Sequence, residues 1–311
     1  MERLKVKKIF ITGSSGFIGR NLKEYLQKKF TVFAPSHKQL NLLDADKVRI
    51  YILKNKINVI LHCALIGGGK EDLEIKDIVY SNLRIFFNIT RNSKLVDKII
   101  HFGSGLEYDK NRPLKSVKEE DFDKKIPMDE YGFYKYVCAK YSENSQNIYD
   151  LVIFGIYGKY EDYLYRFISN SIIKNLLKMP IVINQNVVFD YLYINDLVKI
   201  VGYFISHKPK YKIFNLTSGK KIDLLSIAKL INSVGEFKSE IKILNKGLNN
   251  EYTASNNRLL KELTGFKFTP HRDTIKELYN WYKNRMHLNE NNKIKQDSHI
   301  KFLNIHKSLY K

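Results

Sequence analysis

Val6-Lys7-Lys8-Ile9-Phe10-Ile11-Thr12 runs directly into Gly13-Ser14-Ser15-Gly16-Phe17-Ile18-Gly19, and an amphipathic stretch from Arg20 to Lys29 follows. The first segment is short and mostly apolar, with β-branched residues, as suits a buried strand. The last has the spacing of a helix. Strand, glycine-rich turn and helix in that order open a dinucleotide-binding unit. Gly13 permits the tight turn, Gly16 lets the backbone approach a pyrophosphate without a Cβ in the way, and Gly19 lets helix and strand pack closely. Free N–H groups at the helix N-terminus then face the phosphates. Ser15, Phe17 and Ile18 share the turn and count with the glycines as expected cofactor contacts. The chain is therefore expected to be α/β, a Rossmann-type doubly wound parallel sheet with a smaller α/β substrate-binding part on its carboxyl-terminal side.

The next strand, Phe30 to Ala34, ends at Pro35-Ser36-His37-Lys38. A fold that holds NAD usually places an acid here for the ribose 2′-hydroxyl. No acid is present, and Ser36, His37 and Lys38 are suited to hydrogen-bond and neutralise a 2′-phosphate, which favours NADP(H) over NAD(H). Lys38 is also readable as a solvated loop charge in a lysine-rich chain. Asn58 to Ala64 makes a further buried strand, and Ala64 with Leu65 marks a place where a flat cofactor meets the backbone. Asn82, on the helix that follows, is read as structural.

Lys98 to Phe102 forms another strand and leads into Gly103-Ser104-Gly105-Leu106-Glu107-Tyr108. Downstream, Tyr131-Gly132-Phe133-Tyr134-Lys135 begins a helical segment, in which Tyr131 and Lys135 stand one turn apart and share a face. A phenol of ordinary pKa, ~10, is a poor proton shuttle at neutral pH. A neighbouring ammonium and an oxidised nicotinamide both favour the phenolate. The lysine is also placed to hold the nicotinamide ribose, and the Ser104 hydroxyl to orient the substrate oxygen. Hydride then passes between nicotinamide and carbon while Tyr131 exchanges a proton with oxygen. Tyr-x-x-x-Lys says little by itself in a chain with 21 tyrosines; the order of glycine-rich turn, strand-end serine and Tyr-Lys gives it weight.

These motifs resemble the NAD-dependent epimerase/dehydratase family, the extended short-chain dehydrogenases, from about Lys8 to Asn284. The likeness is carried by the G-x-x-G-x-x-G turn, Asn41-Leu42-Leu43-Asp44, Gly67-Gly68-Gly69, Ile156-Tyr157-Gly158, the run Asp190 to Asp196 and the run Phe214 to Gly219. Within the family it is nearest to nucleotide-sugar reductases of the GDP-L-fucose synthase type. The resemblance implies that Asp44 contacts adenine and that the substrate is a nucleotide-diphosphate sugar. It implies that residues 1–158 mainly bind NAD(P) and residues 159–284 mainly the nucleotide-sugar, with strands returning to the sheet. Residues 285–311 would be a basic, polar extension. A homodimer through the helices that include Tyr131 to Lys140 is also implied.

Departures from the family pattern narrow the reaction. The family's dehydratases resemble one another in an Asp-Glu pair directly after the strand-end Ser or Thr. Here Gly105 and Leu106 stand there, neither able to carry a proton, so these two are left as substrate contacts. The Cys and His with which fucose synthase epimerises correspond to Leu106 and Tyr160. Where many relatives bind phosphate with an Arg before the acid at Asp190, this chain has Phe189. Arg166 or Lys174 would take over that contact, although Arg166 is equally read as a solvated charge, and Phe189 and Tyr191 as core aromatics. What remains is NADPH-dependent reduction of a 4-keto deoxysugar nucleotide by Ser104, Tyr131 and Lys135. A nucleotide-sugar 4-epimerase with tightly held NAD needs the same three residues and is the alternative. A catalytically silent dinucleotide-binding sensor, or a nucleic-acid-binding relative, is the remote one and would be expected to lose the Tyr-Lys pair.

Bulk properties agree with an enzyme of this kind. The chain has 311 residues, 44% hydrophobic and 27% charged, an ordinary globular composition. Its formal charge of +21 raises nucleic-acid binding. The lysines are scattered rather than clustered, so no nucleic-acid partner is expected, and a basic surface would also steer an anionic nucleotide-sugar. No apolar stretch reaches the ~18 residues of a membrane-spanning helix, and the first residues lack the apolar run of a secretory signal. A cytoplasmic protein with no membrane partner is expected. Cys63 and Cys138 lie far apart in apolar segments and read as reduced, buried thiols. The tail histidines, His287, His299 and His306, lack ligand spacing, so no metal is expected; Ile300-Lys301-Phe302-Leu303 suits packing on the body or a second subunit.

Overall fold

The computed structural model describes residues 6–67, 77–285 and 294. Gly68 and Gly69 lie outside the described residues, as does the tail from Met286 with its histidines and the Ile300 to Leu303 run, Ile294 excepted.

The chain begins β1 (Lys8–Thr12), α1 (Phe17–Leu26), β2 (Thr31–Phe33), α2 (Ala45–Asn55), β3 (Val59–His62), α3 (Ile78–Thr90) and β4 (Lys98–Ser104). It continues with β5 (Leu114–Val117), α4 (Glu130–Glu143), β6 (Ile148–Ile153), β7 (Gly155–Tyr157), α5 (Phe167–Leu176), β8 (Ile181–Asn186) and β9 (Val188–Tyr193). It closes with α6 (Ile194–Ser206), β10 (Ile213–Leu216), β11 (Lys221–Asp223), α7 (Leu224–Val234), β12 (Ile241–Leu248), β13 (Tyr252–Ala254), α8 (Asn257–Glu262) and α9 (His271–Lys283).

Six strands in the order β2-β1-β3-β4-β6-β10 form one sheet with every pairing parallel. The chain steps outward from β1 to β2, then returns past β1 to β3 and proceeds the other way. The topological switch point therefore lies between β1 and β3, where a crevice opens at the strands' carboxyl ends. Ile9 and Ile11 face one side of the sheet and Phe10 the other, and all three are fully buried. Parallel strands covered on both faces need such continuous apolar runs. On the first face α1 and α6 contribute Leu22, Leu26, Leu197 and Val201. On the second, Val48 and Ile52 of α2 and Ile89 of α3 meet Phe10, Ile60, Ile99 and Ile148.

A second sheet, β11-β9-β13-β5 with β7 joined to β9, mixes strands from both halves of the chain, and β12 pairs with β8 beside it. Asp190 of β9 ties this sheet to the turn after β10 by accepting from Ser218 Oγ at 2.7 Å and Gly219 N–H at 3.1 Å. Ile294 is buried in the main apolar cluster. Among the described residues no helix is long and apolar enough to cross a membrane.

Several boundaries differ from those the sequence suggests. Helix α1 starts at Phe17 rather than Arg20 because Gly16 is its N-cap, and it ends at Leu26 because Lys29 and Phe30 turn back to bond the Leu26 carbonyl. Strand β4 continues through Gly103 and Ser104, which pair with Val152 and Ile153 of β6. Helix α5 begins only at Phe167, since Asp162 accepts from Leu164 N–H at 3.0 Å and holds the residues before it in a turn.

Gly13 has φ +63°, and a Cβ on it would stand 2.7 Å from Ala64 N and Cα. A Cβ on Gly19 would press into the Gly13 carbonyl, 2.8 Å from its carbon. Helix α1, the end of β1 and the end of β3 thus meet backbone to backbone at the switch point. Gly19→Ala is expected to cost about 1–3 kcal/mol through this overpacking. Urea unfolding should show a lower midpoint at unchanged m-value; an unchanged midpoint would contradict the close approach.

Candidate active site

The crevice at the switch point has the features a dinucleotide needs. Helix α1 has no side-chain cap and no acid in its first turn, so the positive end of its dipole and its orphan N–H groups stay open. Ser15 and Gly16 are exposed there, and Phe17 and Ile18 are half-buried. Across the switch point Ala64 is half-buried and Leu65 exposed. Ser36, His37 and Lys38 are exposed at the end of β2, where the Ser36 hydroxyl donates to Gln39 Oε1 at 3.1 Å. Asp44 caps α2, accepting from Lys47 N–H at 3.0 Å, a bond that with the Lys47 ammonium holds its carboxyl below the usual range. Open phosphate donors at one end and an exposed polar edge at the other fit a dinucleotide. Asn82 accepts from Ile66 N–H at 2.8 Å and donates to the Ile66 carbonyl at 2.7 Å, so it clamps the loop after β3.

Ser104, Tyr131 and Lys135 come together at the carboxyl end of β4. Ser104 ends that strand and caps a short 3-10 turn, Gly105 to Tyr108, with its Oγ accepting from Leu106 N–H at 3.3 Å. Glu107 Oε2 reaches back to accept from Ser104 N–H at 3.4 Å. Helix α4 starts one residue before Tyr131, where Asp129 Oδ1 accepts from Gly132 N–H at 3.0 Å. A Cβ on Gly132 would lie 2.9 Å from the Leu106 carbonyl oxygen, so the start of α4 rests directly on the serine's turn. Lys135 is buried, donates from Nζ to the Phe102 carbonyl at 2.6 Å, and lies 5.8 Å from the Tyr131 ring centre. Burial works against its charge, but Tyr134, Tyr131, Cys138 and Asp150 together outweigh it and hold its pKa above the usual lysine range.

Beneath these residues runs a polar row that the sequence reading did not single out. Thr12, His62, His101 and Asp150 are paired in register across β1, β3, β4 and β6, and all are buried. Thr12 Oγ1 and His62 Nδ1 are 2.9 Å apart, and the two imidazoles lie 5.4 Å apart. Burial pushes His62 down to about 3 and His101 well below its usual value, so both stay neutral. Glu107 and Asp150 close on Gly103 from two sides: a Cβ there would strike Asp150 Oδ1 and stand 3.0 Å from Glu107 Oε2. Burial, then the Asp150 charge, raises Glu107 well above the usual carboxyl range. Burial raises Asp150 to about 7, against the pull of Lys135. Two buried carboxyls this close cannot both ionise. Asp150 within the apolar run Ile148 to Ile153 was a visible signal, since a charge in a buried strand demands a partner.

The remaining expected residues sit further out. Gly105 is buried and Leu106 half-buried beside Ser104, with the phenol of Tyr252 packed over Gly105. Arg166 is exposed at the N-cap of α5. Tyr160 donates to Glu24 at 2.7 Å and lies under the Arg20 guanidinium, 3.6 Å from its ring centre. Phe189 packs on Tyr191 and Tyr252 with ring centres 5.0 and 6.0 Å away. Cys138 is buried and Cys63 half-buried, both are free thiols, and burial raises both pKa values.

A doubly wound sheet with a serine, tyrosine and lysine gathered at its carboxyl edge defines a dinucleotide-dependent oxidoreductase class. The sequence model of the NAD dependent epimerase/dehydratase family matches residues 9–217, and the chain belongs to that family of NAD(P)-dependent enzymes. It is similar to ADP-L-glycero-D-manno-heptose-6-epimerase of Brachyspira hyodysenteriae, 25% identical over 264 residues that cover 73% of this chain and 80% of the relative. It is similar also to GDP-L-fucose synthase of Sinorhizobium fredii, 23% identical over 264 residues that cover 78% of this chain and 84% of the relative. Among solved structures its fold matches GDP-mannoheptose C4 reductase from Campylobacter jejuni with NADP bound, with TM-score 0.77, 23% identity, and 89% of this chain and 98% of that one covered.

The carboxyl pair carries a pH signature. From the ordinary carboxylate range, about 4, up to about 7, folded Asp150 keeps a proton that the unfolded chain has lost. The Asp150 contribution to stability therefore falls as pH rises through that window, while His62 and His101, held neutral by burial, contribute the opposite slope. Asp150→Asn should make the slope of Tm against pH across that window more positive than in wild type; an unchanged slope would contradict the pair.

Proposed function

We propose that this protein is a nucleotide-sugar oxidoreductase that reduces the 4-keto group of a deoxysugar nucleotide with NADPH. The observation that carries this reading is that α4, with Tyr131 and Lys135, rests on the turn that Ser104 caps, at the same carboxyl edge of the sheet as the open N-terminus of α1. Gly105 and Leu106 beside that serine offer no acid or base for elimination. The similarity to GDP-L-fucose synthase and to a GDP-mannoheptose C4 reductase supports a nucleotide-diphosphate sugar as substrate.

Bound NADPH supplies hydride to the carbonyl carbon. The Ser104 hydroxyl donates to the carbonyl oxygen and sets its position. Tyr131 passes its phenolic proton to that oxygen as negative charge develops there. The Lys135 ammonium stabilises the phenolate left behind and, with its remaining N–H groups, holds the cofactor ribose. Gly13, Ser15, Gly16, Phe17, Ile18, Gly19, Ala64 and Leu65 line the dinucleotide, with Asp44 toward the adenine and Ser36, His37 and Lys38 on the 2′-phosphate. Residues 1–158 mainly serve the cofactor and residues 159–284 mainly the sugar nucleotide, with Arg166 on its phosphates. Two copies pair through α3 and α4, where Tyr80, Phe133 and Tyr141 are exposed. A 4-epimerase would use the same three residues, but the acid-free end of β2 favours a 2′-phosphate and so an exchangeable NADPH.

Tyr131→Phe is expected to lower kcat by about 10²–10⁴-fold, the range of general acid catalysis, with NADPH affinity little changed. Turnover near wild type in that variant would end the assignment. NADPH should bind about tenfold or more tightly than NADH, since one charge-assisted hydrogen bond contributes about 1.5–3 kcal/mol. Lys38→Ala should narrow that gap in a fluorescence titration; equal affinities in the wild type would remove the cofactor preference.

A further inference from the structure

We propose that Tyr160 is the tie through which a dinucleotide bound at the N-terminus of α1 orders α5 and α9 in the carboxyl-terminal half of the chain. The proposal uses only the family's NAD(P) binding and does not depend on which sugar nucleotide is reduced.

Residues 158–161 come directly after β7 and hold three helices at once. Toward α1, the buried Asn21 donates from Nδ2 to the Lys159 carbonyl at 2.9 Å and to the Phe17 carbonyl of its own helix at 2.8 Å. The Tyr160 hydroxyl donates to Glu24 at 2.7 Å, and the Arg20 guanidinium covers the ring at 3.6 Å from its centre. Toward α9, the same ring meets Trp281 edge to face with centres 5.3 Å apart, and Lys159 Nζ lies 3.9 Å from Glu277. Toward α5, the neighbouring Glu161 is buried and accepts from the Ser169 hydroxyl. Helices α5 and α9 also pack on each other and on α7.

Tyr160 has φ +70°, a left-handed conformation that is an outlier for a bulky side chain. Such a residue persists only where its surroundings over-determine it, and such residues gather at switches and ligand clamps. Here the surroundings are Arg20 and Glu24 on one helix and Trp281 on another. Arg20 and Asn21 stand directly after Gly19, in the turn next to the uncapped N–H groups that a pyrophosphate binds. A bound dinucleotide therefore restrains the turn that carries them. Restraint on one side of a packed contact removes motion from the other side, and this couples two regions with no change of shape. Tyr160 passes the restraint to α9, and Glu161 passes it to α5.

Hydrogen exchange read by mass spectrometry, on the full chain with and without saturating NADP+, tests this. The readout is the ratio of the exchange rates without and with NADP+ in each helix. A merely structural role for Tyr160 would leave that ratio unchanged, because loss of stability speeds exchange in both states alike. In the wild type NADP+ is expected to slow exchange in α9 by about fivefold or more, the low end of ordinary coupling between sites, and in α5 and α1 as well. Tyr160→Gly adopts φ +70° freely but loses the ring. It should cut the α9 ratio by about two- to fivefold, the worth of one exposed cation–π contact, and leave the α1 ratio in place. Arg20→Ala removes the cation from the other side and should cut the α9 ratio in the same way, whereas Tyr160→Phe keeps both ring contacts and should retain it. Slowing in wild-type α1 that does not extend to α9 overturns the proposal, and so does a wild-type ratio in both Tyr160→Gly and Arg20→Ala. If NADP+ does not bind, NAD+ takes its place in the same comparisons, so that failure of the cofactor preference is told apart from failure of the tie. A chain that binds neither overturns the proposal too.

Discussion

The buried ammonium of Lys135 is the charge around which the polar groups at the end of β4 are arranged. It is anchored on the Phe102 carbonyl at 2.6 Å, two residues before Ser104, so it joins α4 to the strand that ends in the serine. A charge taken out of water is costly unless polar groups surround it. Tyr134, Tyr131, Cys138 and Asp150 provide that surrounding, and the ammonium in turn draws Tyr134, Cys138 and Asp150 below where burial alone would leave them. Asp150 and Glu107 beneath it are raised by burial, yet the ammonium lowers both relative to where burial alone would leave them. One positive charge thus stands against the two buried carboxyls of Glu107 and Asp150.

The backbone contact at the switch point is the second constraint on this edge of the sheet. Gly13 and Gly19 bring α1, β1 and β3 within van der Waals reach, which aims the helix N-terminus at the crevice. Both devices lie at the same carboxyl edge because every strand of the large sheet is parallel. The second sheet then carries side chains such as Tyr252 from the distant end of the chain to Gly105, in the turn after the serine.

Legibility in the sequence followed the range of the interactions. The strand, glycine turn and helix from Val6 onward were readable because their spacing is local, as was the shared face of Tyr131 and Lys135 on α4. The end of β4 was not, because Ser104 becomes part of the strand only through its pairing with Ile153 of β6. Glu107, three residues after Ser104, matches the capping box that the structure contains, so its bond to Ser104 N–H was open to reading. Its approach to Asp150 was not, since that depends on the register of β4 against β6. Gly105 and Phe189 stood out as departures from the family pattern without a reason. The reason is tertiary, for both pack against Tyr252, which reaches them only through the pairing of β13 with β9.

The central claim is net hydride transfer to a 4-keto sugar nucleotide by the Ser104, Tyr131 and Lys135 set. The most direct test is incubation of the purified protein with a GDP-linked 4-keto-6-deoxyhexose and NADPH deuterated at its transferable position. The account predicts that NADPH is consumed in step with product and that the deuterium appears at C4 of the sugar. Cofactor that stays bound, with no net oxidation and no deuterium gained by the sugar pool, would contradict it.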